Sequence, residues 1–221
     1  MIKVEGYQQV LQHCMNANAT LVAVSKTKPV EDIMALYHMG QRIFGENKVQ
    51  EIVEKQPYLP NDIQWHLIGH LQTNKVKQVL PYVSLIHSVD SEKLLKEIES
   101  EAKKQNRKIN ILLQVKIAEE DTKFGLDPSV ILIILEKVLS GLFPHLIVCG
   151  LMGMASFTDD IRKVEREFDL LKSLYDNILE KYLIHFPHFN TLSMGMSGDY
   201  QVAISKGANM VRVGSLIFGE R

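Results

Sequence analysis

Three stretches of the chain hold residue types that could do chemistry together. Lys26 stands in Val-Ala-Val-Ser-Lys-Thr-Lys-Pro (Val22–Pro29), at the exit of a strongly apolar run. Burial disfavours the ammonium form of a lysine, and a neutral amine attacks aldehydes, so a Schiff base is within reach of this position. Residue type alone favours a solvated loop lysine instead. Lys28 is a rival nucleophile on the same stretch. Arg212 lies between two valines in Val-Arg-Val-Gly, where an uncompensated charge would be expensive to bury. It could pair with a structural carboxylate, or it could point its guanidinium at a ligand's ring nitrogen. Because arginine keeps its proton, it would leave that nitrogen unprotonated and weaken a pyridine ring as an electron sink. Ser197-Gly198-Asp199 runs into a helical pattern at Tyr200–Lys206, and Gly214-Ser215 follows the last apolar run. Free N–H groups at a helix start, with glycine permitting close approach, form an anion cradle. The plain alternative is a pair of tight turns.

These residues need elements to position them. Short β-rich apolar runs alternate with longer amphipathic segments, the pattern of parallel strands joined by crossover helices. Strands are expected near Leu21–Ser25, Arg42–Phe44, Gln64–Ile68, Ser84–His87, Asn110–Ile117, Leu146–Gly150, Asn190–Leu192 and Met210–Val213. Each but the last is followed by a helical pattern. The clearest helix spans Ile161 to Tyr182, with Ile161, Val164, Phe168, Leu171, Tyr175, Ile178 and Tyr182 in one stripe. A second begins at Asp127-Pro128, where Asp can cap and Pro suits the first turn. A third, Ser91 to Gln105, buries Leu94, Leu95, Ile98 and Ala102.

Eight strands with interleaved helices predict an α/β fold, a (β/α)8 TIM barrel, as a single domain over 1–221; an open doubly wound sheet is the rival. In both architectures function gathers beyond the carboxyl ends of the strands. Those ends carry Lys26, Gly45-Glu46-Asn47, Gly69-His70, Ser88 to Asp90, Lys116, Met152-Gly153, Met194 to Asp199 and Gly214-Ser215. Barrel phosphate sites are commonly built from the loops after strands seven and eight, which is where both glycine-serine loops fall.

Composition narrows the class of partner. The chain has 221 residues, 46% of them apolar and 23% charged, as in a soluble globular protein. Lys and Arg (25) nearly balance Asp and Glu (26), which argues against nucleic acid or an anionic membrane as partner. Two cysteines, Cys14 and Cys149, lack both disulfide-framework and zinc-ligand spacing, and no metal site is expected. The N-terminus does not read as a signal peptide, and the longest apolar stretch, Val130 to Leu135, is too short to span a bilayer. A cytoplasmic location is the resulting expectation.

The sequence resembles the pyridoxal-phosphate homeostasis proteins, single-domain relatives of the alanine racemase N-terminal barrel. The resemblance rests on VAVSKTKP (Val22–Pro29), FGENKVQE (Phe44–Glu51), WHLIGHLQTNK (Trp65–Lys75) and HSVDS (His87–Ser91). It continues through LLQVK and KFGL (Leu112–Leu126), GLM (Gly150–Met152), LSMGMSGDY (Leu192–Tyr200) and MVRVGSLIFGER (Met210–Arg221). It implies that Lys26, not Lys28, anchors pyridoxal 5′-phosphate (PLP), that Arg212 faces the pyridine nitrogen, and that Ser197, Gly198, Gly214 and Ser215 hold the phosphate. Asn47, His66 and Met194 would line the rest of the pocket. Lys116 stands where the family usually has Asn, Lys48 where it often has Tyr, and His70 where Pro is commoner. The segment before Lys26 is shorter than usual, which puts the first helix in doubt.

Three functions compete. A PLP carrier in cofactor homeostasis needs only the holding groups, and PLP-dependent apoenzymes are its candidate recipients. An amino-acid racemase needs a second proton donor opposite Lys26, which in racemases of this fold resembles a tyrosine from an additional C-terminal domain; this chain stops at Arg221. A class I aldolase-like barrel usually carries its lysine on strand six, where this chain has Gly150-Leu151-Met152. The expectation is a non-catalytic PLP-binding monomer.

Overall fold

The strand Thr20–Val24 (β1) buries four of its five residues, which requires cover on both of its faces and therefore a parallel sheet beneath helices. A computed structural model describes residues 2–118, 125–182 and 184–220. Lys123 and Phe124 of the KFGL stretch, and Arg221, lie outside the described residues. Seven further strands follow: Ile43–Glu46 (β2), Gln64–Leu67 (β3), Val83–Val89 (β4), Ile109–Gln114 (β5), Leu146–Met152 (β6), Thr191–Ser193 (β7) and Met210–Val213 (β8). Each pairs in parallel with the next, and β8 returns to β1, with Val22 opposite Arg212 and Ala23 opposite Val213. The sheet is a closed barrel. The open-sheet alternative is set aside by that last pairing.

The helices are Val4–Asn16 (α1), Val30–His38 (α2), Val49–Lys55 (α3), Val76–Val79 (α4), Glu92–Lys104 (α5), Pro128–Leu139 (α6), Ile161–Tyr182 (α7), Tyr200–Ser205 (α8) and Ser215–Phe218 (α9). The doubted first helix exists. The last strand also has a helix after it, α9, too short at four residues to leave a periodic signal. Helix α7 has the expected bounds, but Ile161 is exposed rather than part of the buried stripe. Ser91 caps α5, accepting from Leu94 N, and Leu94, Leu95, Ile98 and Ala102 are buried as expected. Asp127 takes the N-cap position of α6 without a side-chain cap; its main-chain carbonyl accepts from Val130 N and Ile131 N. The fifth strand ends at Gln114, and Val115 then makes an isolated bridge with Leu126.

Alternation by two sorts the strand residues between two cores. The larger core lies between sheet and helices and contains Phe44, Trp65, Ile111, Leu151 and Val211. A smaller one fills the barrel itself with Val22, Leu85, Leu112, Met152 and Met210. Two residues further along β4, β5 and β8 stand His87, Gln114 and Arg212, all buried. The barrel thus has an apolar floor and a polar layer above it, on the side of the strands' carboxyl ends.

Helix α1 is sewn to α9: Lys3 N donates to Ile217 O at 2.7 Å. A Cβ on Gly6 would fall 2.1 Å from Leu216 O, so the two backbones touch at this point. Gly6→Ala should therefore force them apart and cost about 2 kcal/mol, measured as a lowered urea midpoint with an unchanged slope.

Candidate functional site

The polar layer is a hydrogen-bonded chain. Arg212 is 3% exposed; its guanidinium donates to Ser193 Oγ at 2.6 Å and to Gly153 O at 3.0 Å. Ser193 Oγ lies 3.1 Å from His87 Nδ1, and His87 Nε2 lies 3.0 Å from His66 Nδ1. These four residues come from β8, β7, β4 and β3, all facing inward. Burial holds His66 down at about 4 and His87 well below the usual imidazole range, with His66 and Arg212 adding to the effect on His87. Burial also lowers Arg212, to about 10, opposed by the charge of Asp199. At neutral pH the arginine is the cation of this layer and both imidazoles are neutral. With Ser193 Oγ accepting from Arg212 and donating its O–H to His87 Nδ1, His87 Nε2–H donates to His66 Nδ1. Under that arrangement His66 Nε2 carries a proton.

Lys26 follows β1 and is half-buried. Its neighbour Ser25 donates from Oγ to Glu46 Oε1 at 2.7 Å, and Glu46 also meets Lys55 of α3 on the outer side of the sheet. With Ser25 on that face, Val22 belongs to the inward series of β1, and Lys26 follows in the turn closed by the Lys28 N–H on Ser25 O. Glu46 therefore turns away from the mouth, against the expectation that grouped it with the rim. Burial pushes its carboxyl up to about 7, opposed by Lys55 and Ser25. Lys28 is engaged elsewhere: its Nζ donates to the main-chain carbonyls of Phe218 (3.0 Å), Glu220 (3.3 Å) and Gly219 (3.5 Å).

The two loops after β7 and β8 meet. Ser197 Oγ accepts from Gly214 N and from Ser215 N, each at 3.1 Å. Asp199 Oδ1 accepts from Met196 N at 2.6 Å, fixing the turn that carries Gly198. A Cβ on Gly198 would meet nothing within 4 Å, whereas one on Gly214 would press on Val24 at 3.3 Å. Ser197, Gly214 and Ser215 thus form one cradle of hydroxyl and amide groups, with open space beside Gly198. Asn47 is half-buried after β2, and its backbone runs so close to Gly69 that a Cβ there would fall 2.4 Å from Asn47 O. Ser88 Oγ donates to Gly69 O at 2.6 Å, so the loops after β2, β3 and β4 are joined. His70 pairs with Asp90 at 2.9 Å. Lys116 is half-buried, with its N–H on Leu126 O, and Lys48 is exposed at the start of α3.

The predicted residues Lys26, Asn47, His66, Ser197, Gly198, Arg212, Gly214 and Ser215 thus gather at one end of the barrel, in an arc from β7 through β8 and β1 to β3. Met194 does not join them; it is fully buried in the core between sheet and helices, because Ser193 takes the inward position. Sequence reasoning missed Ser193 and His87. The signal available for both was a polar residue at an inward strand position, as it was for Arg212. Among the described residues no cluster of His, Cys, Asp or Glu could hold a metal ion, and no helix is long and apolar enough to cross a membrane.

Comparison with known proteins identifies the family. Residues 5–221 match the family described as alanine racemase, N-terminal domain. A pyridoxal phosphate homeostasis protein of Aquifex aeolicus is 41% identical over 204 residues, 92% of this chain and 87% of that one. The protein of the same name from Pasteurella multocida is 38% identical over 97% of this chain and 94% of its own. The chain belongs to the pyridoxal phosphate homeostasis protein family. Among solved structures, PipY of Synechococcus elongatus PCC7942 with PLP bound superimposes with a TM-score of 0.82 at 33% identity, covering 91% of this chain and 93% of PipY.

The buried imidazoles carry a pH consequence. Their folded values lie below the ordinary 6.5, so the unfolded chain binds protons that the folded chain refuses. Stability present above pH 6.5 should fall as pH drops toward 4, with His66 contributing roughly 3 kcal/mol over that interval. Urea titrations at stepped pH should show this loss, and His66→Gln should flatten it.

Proposed function

We propose that this chain binds PLP at the mouth of the barrel, holds it covalently through Lys26, and serves cytoplasmic PLP homeostasis without catalytic turnover. The observation that carries the reading is the convergence of three groups on adjacent strands. The Lys26 loop follows β1, Arg212 sits opposite Val22 on β8, and the Ser197, Gly214 and Ser215 cradle joins the loops after β7 and β8. Lys26 would hold PLP through its amine, which could condense with the aldehyde carbonyl and release one water.

The chain's own residues orient the cofactor and limit its reactivity. Ser197, Gly198, Gly214 and Ser215 receive the phosphate. Arg212 faces the ring nitrogen and, staying protonated itself, leaves that nitrogen without a proton; this suits holding better than carbanion chemistry. Asn47 and His66 line the side toward β2 and β3, and Met194 has no place in the contact set. Lys28 is held by the carbonyl oxygens of Phe218, Gly219 and Glu220. The carrier works as a monomer in this reading, with PLP-dependent apoenzymes as recipients.

Lys26→Ala should abolish the borohydride-reducible adduct while the circular dichroism spectrum keeps its native shape; peptide mass mapping reads the attachment site. An undiminished adduct on another lysine would refute the anchor. Arg212→Gln should shift the absorbance of the bound cofactor, and an unchanged band would place Arg212 away from the ring. Sustained conversion of L-alanine to D-alanine by the loaded protein would replace the carrier reading with a racemase.

A further inference from the structure

Behind the anchor, on the outer face of the sheet, lies a second polar cluster that the proposed function does not use. Lys55 of α3 donates from Nζ to Glu46 Oε1 (2.8 Å), Glu51 Oε2 (2.8 Å) and Ser25 O (3.1 Å). Three donors meet three acceptors, which satisfies an ammonium group. Ser25 Oγ donates to the same Glu46 oxygen at 2.7 Å, and Thr27 N donates to Glu51 Oε2 at 2.6 Å. Residues 25 and 27, on either side of Lys26, are therefore bound to one ammonium and its two carboxylates.

The backbone shows that this grip is under load. Thr27 has φ +64°, a left-handed conformation that a β-branched residue adopts only under constraint. The Glu51 bond to Thr27 N is made at that residue. Glu46 is fully buried, and its Oε2 has no hydrogen-bond partner, which costs stability.

We propose that Glu46, Lys55 and Glu51 are positioning residues that clamp the main chain on both sides of Lys26 and so aim its amine at the aldehyde of PLP. None of the three touches the cofactor; they act through Ser25 and Thr27. The inference rests on Lys26 being the attachment residue, so the unmodified chain serves as the control for that reading.

The test loads the full-length protein with PLP, tracks growth of the visible band, and then reduces with borohydride and maps the label. Glu51→Ala removes the Thr27 bond and leaves the buried Glu46–Lys55 pair intact. The double variant Glu46→Gln with Lys55→Met removes both buried charges together. In each, adduct formation should slow at least about tenfold, and part of the label should move from Lys26 to other lysines. Glu51→Gln keeps an acceptor for Thr27 N and should restore the original rate and site. Melting temperatures are read on the same samples. A lower Tm with unchanged rate and with the label still on Lys26 would overturn the clamp and assign the cluster to stability alone. An unmodified chain labelled elsewhere than Lys26 would overturn the underlying anchor, and the clamp with it.

Discussion

A guanidinium inside a closed barrel has no water to fall back on, so the polar layer must be built around it. Arg212 reaches Ser193 on the neighbouring strand and the carbonyl of Gly153 beyond it. Ser193 in turn bonds His87, and His87 bonds His66. Every member is buried, and an unsatisfied member would cost more than the bond it failed to make. One charged residue on β8 thus dictates the inward residue on three other strands. The apolar floor beneath, from Val22 to Met210, keeps that layer near the carboxyl ends, where loops can bring further groups to it.

The strand ends serve two faces. Ser25 bonds outward to Glu46, and Lys26 comes next, in the turn after the strand. The same alternation sends Ser193 inward and Met194 outward. A sheet that must fill both an inner and an outer core therefore sets which of two adjacent residues faces the barrel interior and which meets a helix. Glu46, adjacent to Asn47 in sequence, serves the outer face for this reason, and its carboxyl sits in a medium that lifts it to about 7.

Much of this was legible in the residues alone. Apolar runs of three to eight residues located the eight strands to within a few positions, and glycine-serine loops marked the two that follow β7 and β8. Lys26 and Arg212 stood out as charges against apolar neighbours. Two kinds of feature escaped. Helix α9 is too short to show a period, and α1 was doubted on chain length when its packing against α9 through Gly6 is what secures it. The other kind is partnership across the fold. His87 and Ser193 are 106 positions apart, and no local pattern announces that they face one another. Met194 was misplaced because a motif gives the neighbourhood of a residue but not its face.

The pairing of β1 with β8 has a consequence for how the protein matures. Lys26 and Arg212 come from opposite ends of the chain and share one end of the barrel only when the first strand pairs with the last, the strand pairing of longest sequence separation. Such contacts are costly in loop entropy and form late. A partly folded chain would own the lysine and the arginine without owning the pocket, so occupancy of the mouth becomes a report of barrel closure. A ligand that bridges the two strands would then tie the seam on which the whole ring of strands closes.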